Sequence, residues 1–440
     1  MATPPPPIAG STARTTDARA LPSLRAPALA LALATALLLG CGSPPPPSPA
    51  PDEAATAPAS PAAPAPPAAQ QRDRTVTILY TTARRGQLEE SGCRRDPLGG
   101  LARMATWLGT DPLAADPSHR LLLDGGDTFL PSPPMPPTDV QRAAAALVAD
   151  VYDELGYDVV ALAPRDLDLG PDALRALSRG HRFAVSSANL FGTSDDRPPF
   201  QQGLLFAVDG VKVGVVGVMD AVYGAREDNP GDGPWRYRQP LAVARDQVAR
   251  MRVRGAEIVI VLAQVRAEEI DRVARIPGVD LVFQGSGPED ALPLRQVKDR
   301  GWVIYPAGRG ENVAVVQLTL PAGAPTPLSF VDGNRADRIQ QDMARVDARI
   351  ERLAAKHRPG MDEAIAQLRA QRELLTLDLE RVTPPPAGRP SIRYTLAPIR
   401  LDIAEVPEIA TRVDAHIERA RTTPPPPPAP TETPRHEEHR

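Results

Sequence analysis

From residue 75 onward, short runs in which nearly every position is apolar alternate with stretches in which apolar residues return every three or four positions. The segment 75–81 (TVTILYT) reads as a buried strand and 99–108 (GGLARMATWL) as a helix. A second apolar run, 121–123, leads straight into Asp124-Gly125-Gly126-Asp127. The same spacing predicts helices over 140–155, 172–178, 241–254 and 268–275, and strands over 159–162, 184–186, 258–262, 281–283, 302–306 and 313–320. Between them, 204–208 and 211–218 flank Asp209-Gly210, a pair suited to a two-residue hairpin turn because both central positions need positive φ. Short continuous apolar strands alternating with helices predict an α/β fold with helices over buried sheets. The pattern places this domain at 73–330, with its core ending near Leu320.

A different period follows. Ile339, Met343, Val346, Ile350 and Leu353 form a heptad-type seam, His357-Arg358-Pro359-Gly360 interrupts it, and Met361, Ile365, Leu368, Leu375, Leu379 and Val382 resume the register with Arg372 as its polar member. Two helices joined by a short Pro-Gly break predict an antiparallel αα-hairpin over 335–382, because a short link turns the second helix back along the first. Self-association, or a protein partner, on the same seams is the rival use. Residues 383–421 read as an extension, a strand over 391–401 and a short helix over 407–421.

Composition changes the picture at the ends. The chain holds 440 residues, and 53 of them are Pro against 32 Gly, with the prolines concentrated before residue 73 and after 382. The apolar run 26–40 follows Arg14, Arg19 and Arg25 and is too short to span a bilayer comfortably. Leu38-Leu39-Gly40-Cys41 resembles the bacterial lipoprotein processing box, which implies a signal peptide over 1–40 and a lipid on Cys41. The Pro/Ala-rich stretch 41–72 reads as an extended tether and 422–440 as a low-complexity tail. Gly42, where an Asp would favour inner-membrane retention, points to an outer-membrane anchor facing the periplasm. Cys93 is then left alone, to be buried, free or paired between chains. A formal net charge of −4 with no basic stripe excludes a nucleic-acid footprint, and no C-x-x-C-H occurs to hold haem.

Several loops after the strands carry a resemblance to the calcineurin-like metallophosphoesterases, in their 5′-nucleotidase and UDP-sugar hydrolase branch. The loops are Tyr80-Thr81-Thr82-Ala83-Arg84-Arg85-Gly86, Asp124-Gly125-Gly126-Asp127, Ala163-Pro164-Arg165-Asp166-Leu167-Asp168-Leu169-Gly170, Ala263-Gln264 and Gln284-Gly285-Ser286-Gly287-Pro288. The family patterns there are H-T-N-D-x-H-G, D-x-G-D, G-N-H-E-F-D-x-G, S-H-x-G and G-H-S-H. The resemblance implies a metallophosphoesterase-like αββα sandwich and, in active members, two divalent metal ions and hydrolysis of nucleotides or other phosphate esters. It also implies that the metal ligands are nearly all replaced. Ala83, Arg85, Pro164, Arg165, Gln264, Ser286 and Pro288 stand where Asp, Asn or His is expected, and Asp127 alone keeps the bridging carboxylate as a remnant metal position.

Guanidinium groups repel cations and offer no lone pair, so no metal cofactor and no metal-dependent hydrolysis are expected. Arg85 and Arg165 become candidate anion-binding residues; the plainer alternative is that they pair with Asp127 and Asp166 and hold the loops together. Asp124 and Asp168 are expected to order loops. The chain has no room for the large C-terminal domain of active 5′-nucleotidases. The resulting expectation is a lipid-anchored, catalytically inactive phosphoesterase-like protein acting in binding or envelope organisation. An active metal-dependent phosphoesterase and a purely structural envelope tether are the alternatives.

Overall fold

Alternation along the first strand sorts the layers of the molecule. The structure is a computed structural model and describes residues 72–93, 96–131, 137–193, 195–220, 235–287, 293–306, 308–355 and 361–423. Cys41, the signal-like segment, the tether, Pro288 and the break at 356–360 lie outside the described residues, as does the tail from 424.

In chain order come β1 (Arg74–Thr81), a small hairpin of β2 (Glu90–Cys93) and β3 (Asp96–Gly99), α1 (Leu101–Thr110), β4 (Arg120–Asp124) and α2 (Asp139–Glu154). Next are β5 (Val159–Ala161), α3 (Pro171–Gly180), β6 (Ala184–Ser186), β7 (Leu190–Gly192), β8 (Leu204–Val208), β9 (Val211–Met219) and β10 (Trp235–Tyr237). Then follow α4 (Pro240–Val253), β11 (Ile258–Gln264), α5 (Ala267–Ala274), β12 (Leu281–Gln284), β13 (Leu294–Gln296), β14 (Trp302–Ile304) and β15 (Asn312–Leu320). The chain continues through β16 (Val331–Asp332), α6 (Arg335–Ala354), α7 (Met361–Glu380), β17 (Ser391–Pro398) and α8 (Pro407–Thr422).

Two large sheets result, ordered β16-β17-β15-β1-β4-β5-β6 and β13-β14-β12-β11-β9-β8, beside the two-stranded pairs β2-β3 and β7-β10. In the first, β1 runs parallel to β4 and antiparallel to β15. Val76, Ile78 and Tyr80 of β1, with Leu121 and Leu123 of β4, meet Val213, Val215, Ile258, Ile260 and Phe283 of the second sheet in one buried cluster. The intervening Leu79, Leu122 and Val160 point the other way, under α1, α2 and α3. On the second sheet Val216, Val259, Val261 and Val282 face α4 and α5. Because successive strand residues face opposite sides, strands apolar on both faces require cover on both. The four layers are therefore helix, sheet, sheet, helix. Asp209 and Gly210, at φ 46° and 75°, make the two-residue turn between β8 and β9.

The core does not end near Leu320. β17 inserts between β15 and β16 and pairs with β15 along its whole length. Ile392 and Tyr394 enter the cluster between the sheets. Ile409 and Val413 of α8 pack into the outer layer with α1 and α2, and Arg412 binds both carboxylate oxygens of Glu154 at 2.6 Å. The segment 391–398 has the alternation of a strand, but no local signal tells which edge, some seventy residues back, it will complete.

Helices α6 and α7 thus lie between two strands of one sheet. Ion pairs Arg335–Asp378 (3.2 Å) and Arg372–Asp347 (2.9 Å) set the start of α6 beside the end of α7. The Asn334 side chain fixes their root to β17, donating to the Tyr394 carbonyl at 2.8 Å and accepting from its N–H at 3.0 Å. Among the described residues no helix is long and apolar enough to cross a membrane.

Candidate functional site

The loops that carry the chemistry leave the C-terminal ends of β1, β4, β5, β11 and β12, and the backbone brings three of them together before any side chain acts. The Ala83 N–H bonds the Gly126 carbonyl at 2.9 Å, that of Arg85 bonds Asp127 at 2.9 Å, and that of Gly86 bonds Thr128 at 2.8 Å. Gly126, at φ 90°, passes so close to the β5 loop that a Cβ would sit 2.9 Å from the Ala161 carbonyl oxygen and the Ala163 nitrogen. Ala83, Arg85 and Asp127 all take left-handed backbone, at φ 51°, 56° and 58°. Non-glycine residues there cost roughly 1–2 kcal/mol each, so the surrounding hydrogen bonds must hold these loops in place.

Asp127 is 6% exposed and sits between the two arginines. Arg85 donates from Nε to Oδ2 at 2.7 Å, and Arg165 approaches Oδ1 with its Nε at 3.1 Å. The Arg85 contact is a directed hydrogen bond. The Arg165 contact is an ion pair without hydrogen-bond alignment, since Oδ1 has no directed donor. Both guanidinium side chains remain about a third exposed, at 36% and 30%. Asp166 does not join this pairing. Fully buried, it accepts from the N–H groups of Asp127 (2.9 Å), Thr128 (3.0 Å), Phe129 (3.0 Å) and Ala163 (2.9 Å), tying the β4 loop to the β5 loop.

Among the described residues Arg84 is the largest fully buried side chain. Its Nε donates to the Tyr152 hydroxyl at 3.0 Å, and its two Nη groups reach the Gln87 carbonyl (3.1 Å) and the Met104 sulfur (3.1 Å). The Tyr152 hydroxyl donates to Asp124 at 3.0 Å. Asp124, also fully buried, takes further hydrogen bonds from Thr81 (2.7 Å), the Gly126 N–H (2.9 Å) and Thr128. A buried cation and a buried carboxylate are thus joined through one phenol. Asp124 orders its loop, and these partners explain how a charge persists inside the fold.

Burial pushes the Asp166 carboxyl up to about 7; the nearby Asp127 charge adds to this, and the Phe129 and Ala163 N–H groups oppose it. Burial likewise lifts Asp280 to about 6 against the pull of Arg252. A carboxyl whose folded value exceeds its unfolded one binds its proton more tightly when folded. Its contribution is complete below about 4 and is lost as pH rises through 6 to 7. The melting temperature is therefore expected to fall between pH 5 and pH 8, and Asp166→Asn to flatten that slope. A melting temperature that rises steadily over this range would contradict the assignment.

On the second sheet, Gln264 is 6% exposed and its Nε2 finds no acceptor among the described residues. It lies against Gly285, whose added Cβ would stand 2.3 Å from that nitrogen. The Gly285 carbonyl accepts from Thr82 at 2.7 Å, and the Gln284 carbonyl from Tyr80 at 2.9 Å. These bonds close the second sheet's loops onto the β1 loop.

This donor set does not fit a pair of divalent cations. Such a site needs a bridging carboxylate with oxygen and imidazole ligands converging on both ions. Here Asp127 is engaged by two cations of its own, Ala83 offers no donor, and Gln264 is a neutral amide. Among the described residues no three of His, Cys, Asp and Glu cluster in a way that could hold a metal. The described histidines lie elsewhere: His119 beside Asp116, His181 beside Asp150, and His416 buried on α8.

No family model matches the chain. Among curated proteins it resembles a 5′-nucleotidase of Vibrio parahaemolyticus, 26% identical over 180 residues, which is 40% of this chain and 30% of that protein. It also resembles protein UshA of Yersinia enterocolitica, 29% identical over 169 residues, 38% of this chain and 29% of that protein. The matched segment spans less than a third of these curated relatives. Among solved structures, the calcineurin-like phosphoesterase YfkN of Bacillus subtilis superposes with a TM-score of 0.51 at 16% identity, over 79% of this chain and 99% of that one. The sulfate thiohydrolase SoxB of Thermus thermophilus gives 0.53 at 14% identity, over 82% and 62%. The fold is that of the calcineurin-like metallophosphoesterases, and the sequence matches lie in their 5′-nucleotidase branch.

Proposed function

We propose that this chain is a lipid-anchored outer-membrane protein facing the periplasm, whose phosphoesterase-fold domain has exchanged hydrolysis for binding or envelope organisation. The observation that carries the reading is the position of Asp127, the one acidic group kept at a metal position, clamped by Arg85 and Arg165. Two fixed positive charges at hydrogen-bond and ion-pair distance from that carboxylate oppose any divalent ion placed there. Cys41 carries the membrane attachment in this reading, and the αα-hairpin of 335–382 offers a surface for a protein partner or a second copy.

A metal-dependent phosphoesterase is the second reading, and the match to 5′-nucleotidases favours it. The two separate in one assay. The full chain is expected to hydrolyse p-nitrophenyl phosphate no faster than a buffer blank, with or without added manganese. Manganese-dependent turnover that Asp127→Ala abolishes would overturn the proposal.

A further inference from the structure

We infer that α7 is a homodimer interface, in which two copies of this chain lay the outward faces of α7 against each other, antiparallel. The inference rests on the reading above in one respect, that the αα-hairpin takes a partner, and it names that partner as a second copy.

Helix α7 is apolar on two opposite sides, whereas α6 is apolar on one. Leu368 is buried, and Leu375 and Leu379 half-buried, on the side of Arg372, which pairs with Asp347 of α6. On the other side Ala366, Ala370, Leu374 and Leu377 recur at spacings of four, four and three, and all are exposed. Leu374 is 67% exposed and Leu377 42%. The corresponding outward positions of α6 are polar, at Gln341, Arg345, Arg349 and Arg352. A helix with an apolar stripe on each side needs cover on both, and α6 covers the first. The heptad seam is therefore taken up inside the hairpin, and association between copies falls to the opposite stripe.

The charges along that stripe say what covers it. Glu363 lies at its start and Arg381 just past its end, both exposed, and neither makes an ion pair among the described contacts. In an antiparallel pair whose twofold axis passes level with Arg372, Glu363 faces Arg381 of the second copy and Leu374 faces Ala370, large against small. The symmetry makes each match twice. Arg369 and Glu373, also exposed and without ion pairs among the described contacts, flank the seam within reach of each other across it. A parallel pair would instead set Glu363 against Glu363 and Arg381 against Arg381. The face is thus complementary to itself in one direction. A lipid surface calls for basic residues beside the stripe, where Glu363, Glu373 and Glu380 stand. A helix of 20 residues is about 30 Å long, and one strip of that length falls below the roughly 1,200 Å² of a standard interface, so the dimer is reversible.

The test is sedimentation equilibrium of the full chain in density-matched detergent over a wide range of concentration. A monomer–dimer equilibrium is expected. Leu374→Glu is expected to weaken it by about tenfold or more with no change in melting temperature, because that side chain touches little of its own chain. Glu363→Arg and Arg381→Glu, each alone, are expected to weaken it several-fold by setting like charges together, and the two combined in one chain to restore it. A monomer at every concentration would overturn the inference, as would a dimer that Leu374→Glu leaves unchanged or charge variants that fail to rescue each other. None of these outcomes touches hydrolysis, so the non-hydrolytic reading stands or falls separately on the manganese assay.

Discussion

Asp166→Ala is expected to destabilise the domain by roughly 4 kcal/mol or more, because each buried N–H left without an acceptor costs about 1–3 kcal/mol. Four such donors, on Asp127, Thr128, Phe129 and Ala163, end on this one side chain. No other residue spans the β4 and β5 loops in this way among the described contacts. Asp166→Asn keeps the size of the side chain but turns an amide NH2 toward donors, so it is expected to recover only part of the loss. Urea unfolding of the wild type and both variants measures this; a loss under about 1 kcal/mol for the alanine variant would show that water or a loop shift replaces the carboxylate.

Arg84→Met is expected to cost about 3–5 kcal/mol, the range for removing one member of a buried charged pair and leaving the other without its partner. Methionine fills much of the same volume beside Met104, so the loss is electrostatic more than steric. It strands the Gln87 carbonyl and the Tyr152 hydroxyl, and it leaves buried Asp124 without a counter-charge. A double-mutant cycle with Tyr152→Phe separates this network from simple packing. Coupling well above about 0.5 kcal/mol is expected if the phenol transmits the pairing, and additivity would contradict it.

These two residues also mark how far the sequence carries. The layers were legible because β1, β4, β9, β11 and β12 are apolar on both faces, and a strand of that kind has to be covered twice. The position of β17 was not, because strand alternation says nothing about a partner distant in the chain. The hairpin β2–β3 and the two-stranded pair β7–β10 have strands too short to show a period. Arg84 occupies the variable place of its loop motif, and a charged residue in one sequence reads as exposed. Only the coincidence of Tyr152, Met104 and Asp124 around it in space reveals otherwise. In sequence Asp166 is one of two acidic candidates to pair with the arginines; the loop geometry gives it to backbone donors.

Asp127 is the place where sequence and geometry bear on the same question. Arg85 follows β1 and Arg165 follows β5, on either side of Asp127 after β4, and their convergence depends on strands β1, β4 and β5 lying side by side. The loop after β1 alone supplies both Arg84, turned into the core, and Arg85, turned to the crevice, as successive residues of opposite direction. One loop thus stabilises the scaffold and alters its chemistry at once.

The most direct test is anomalous diffraction from crystals of the protein soaked in manganese. A metal-free crevice shows no manganese beside Asp127, with Arg85 and Arg165 still on its carboxylate. Two manganese ions bridged by Asp127, with the guanidiniums swung aside, would contradict it.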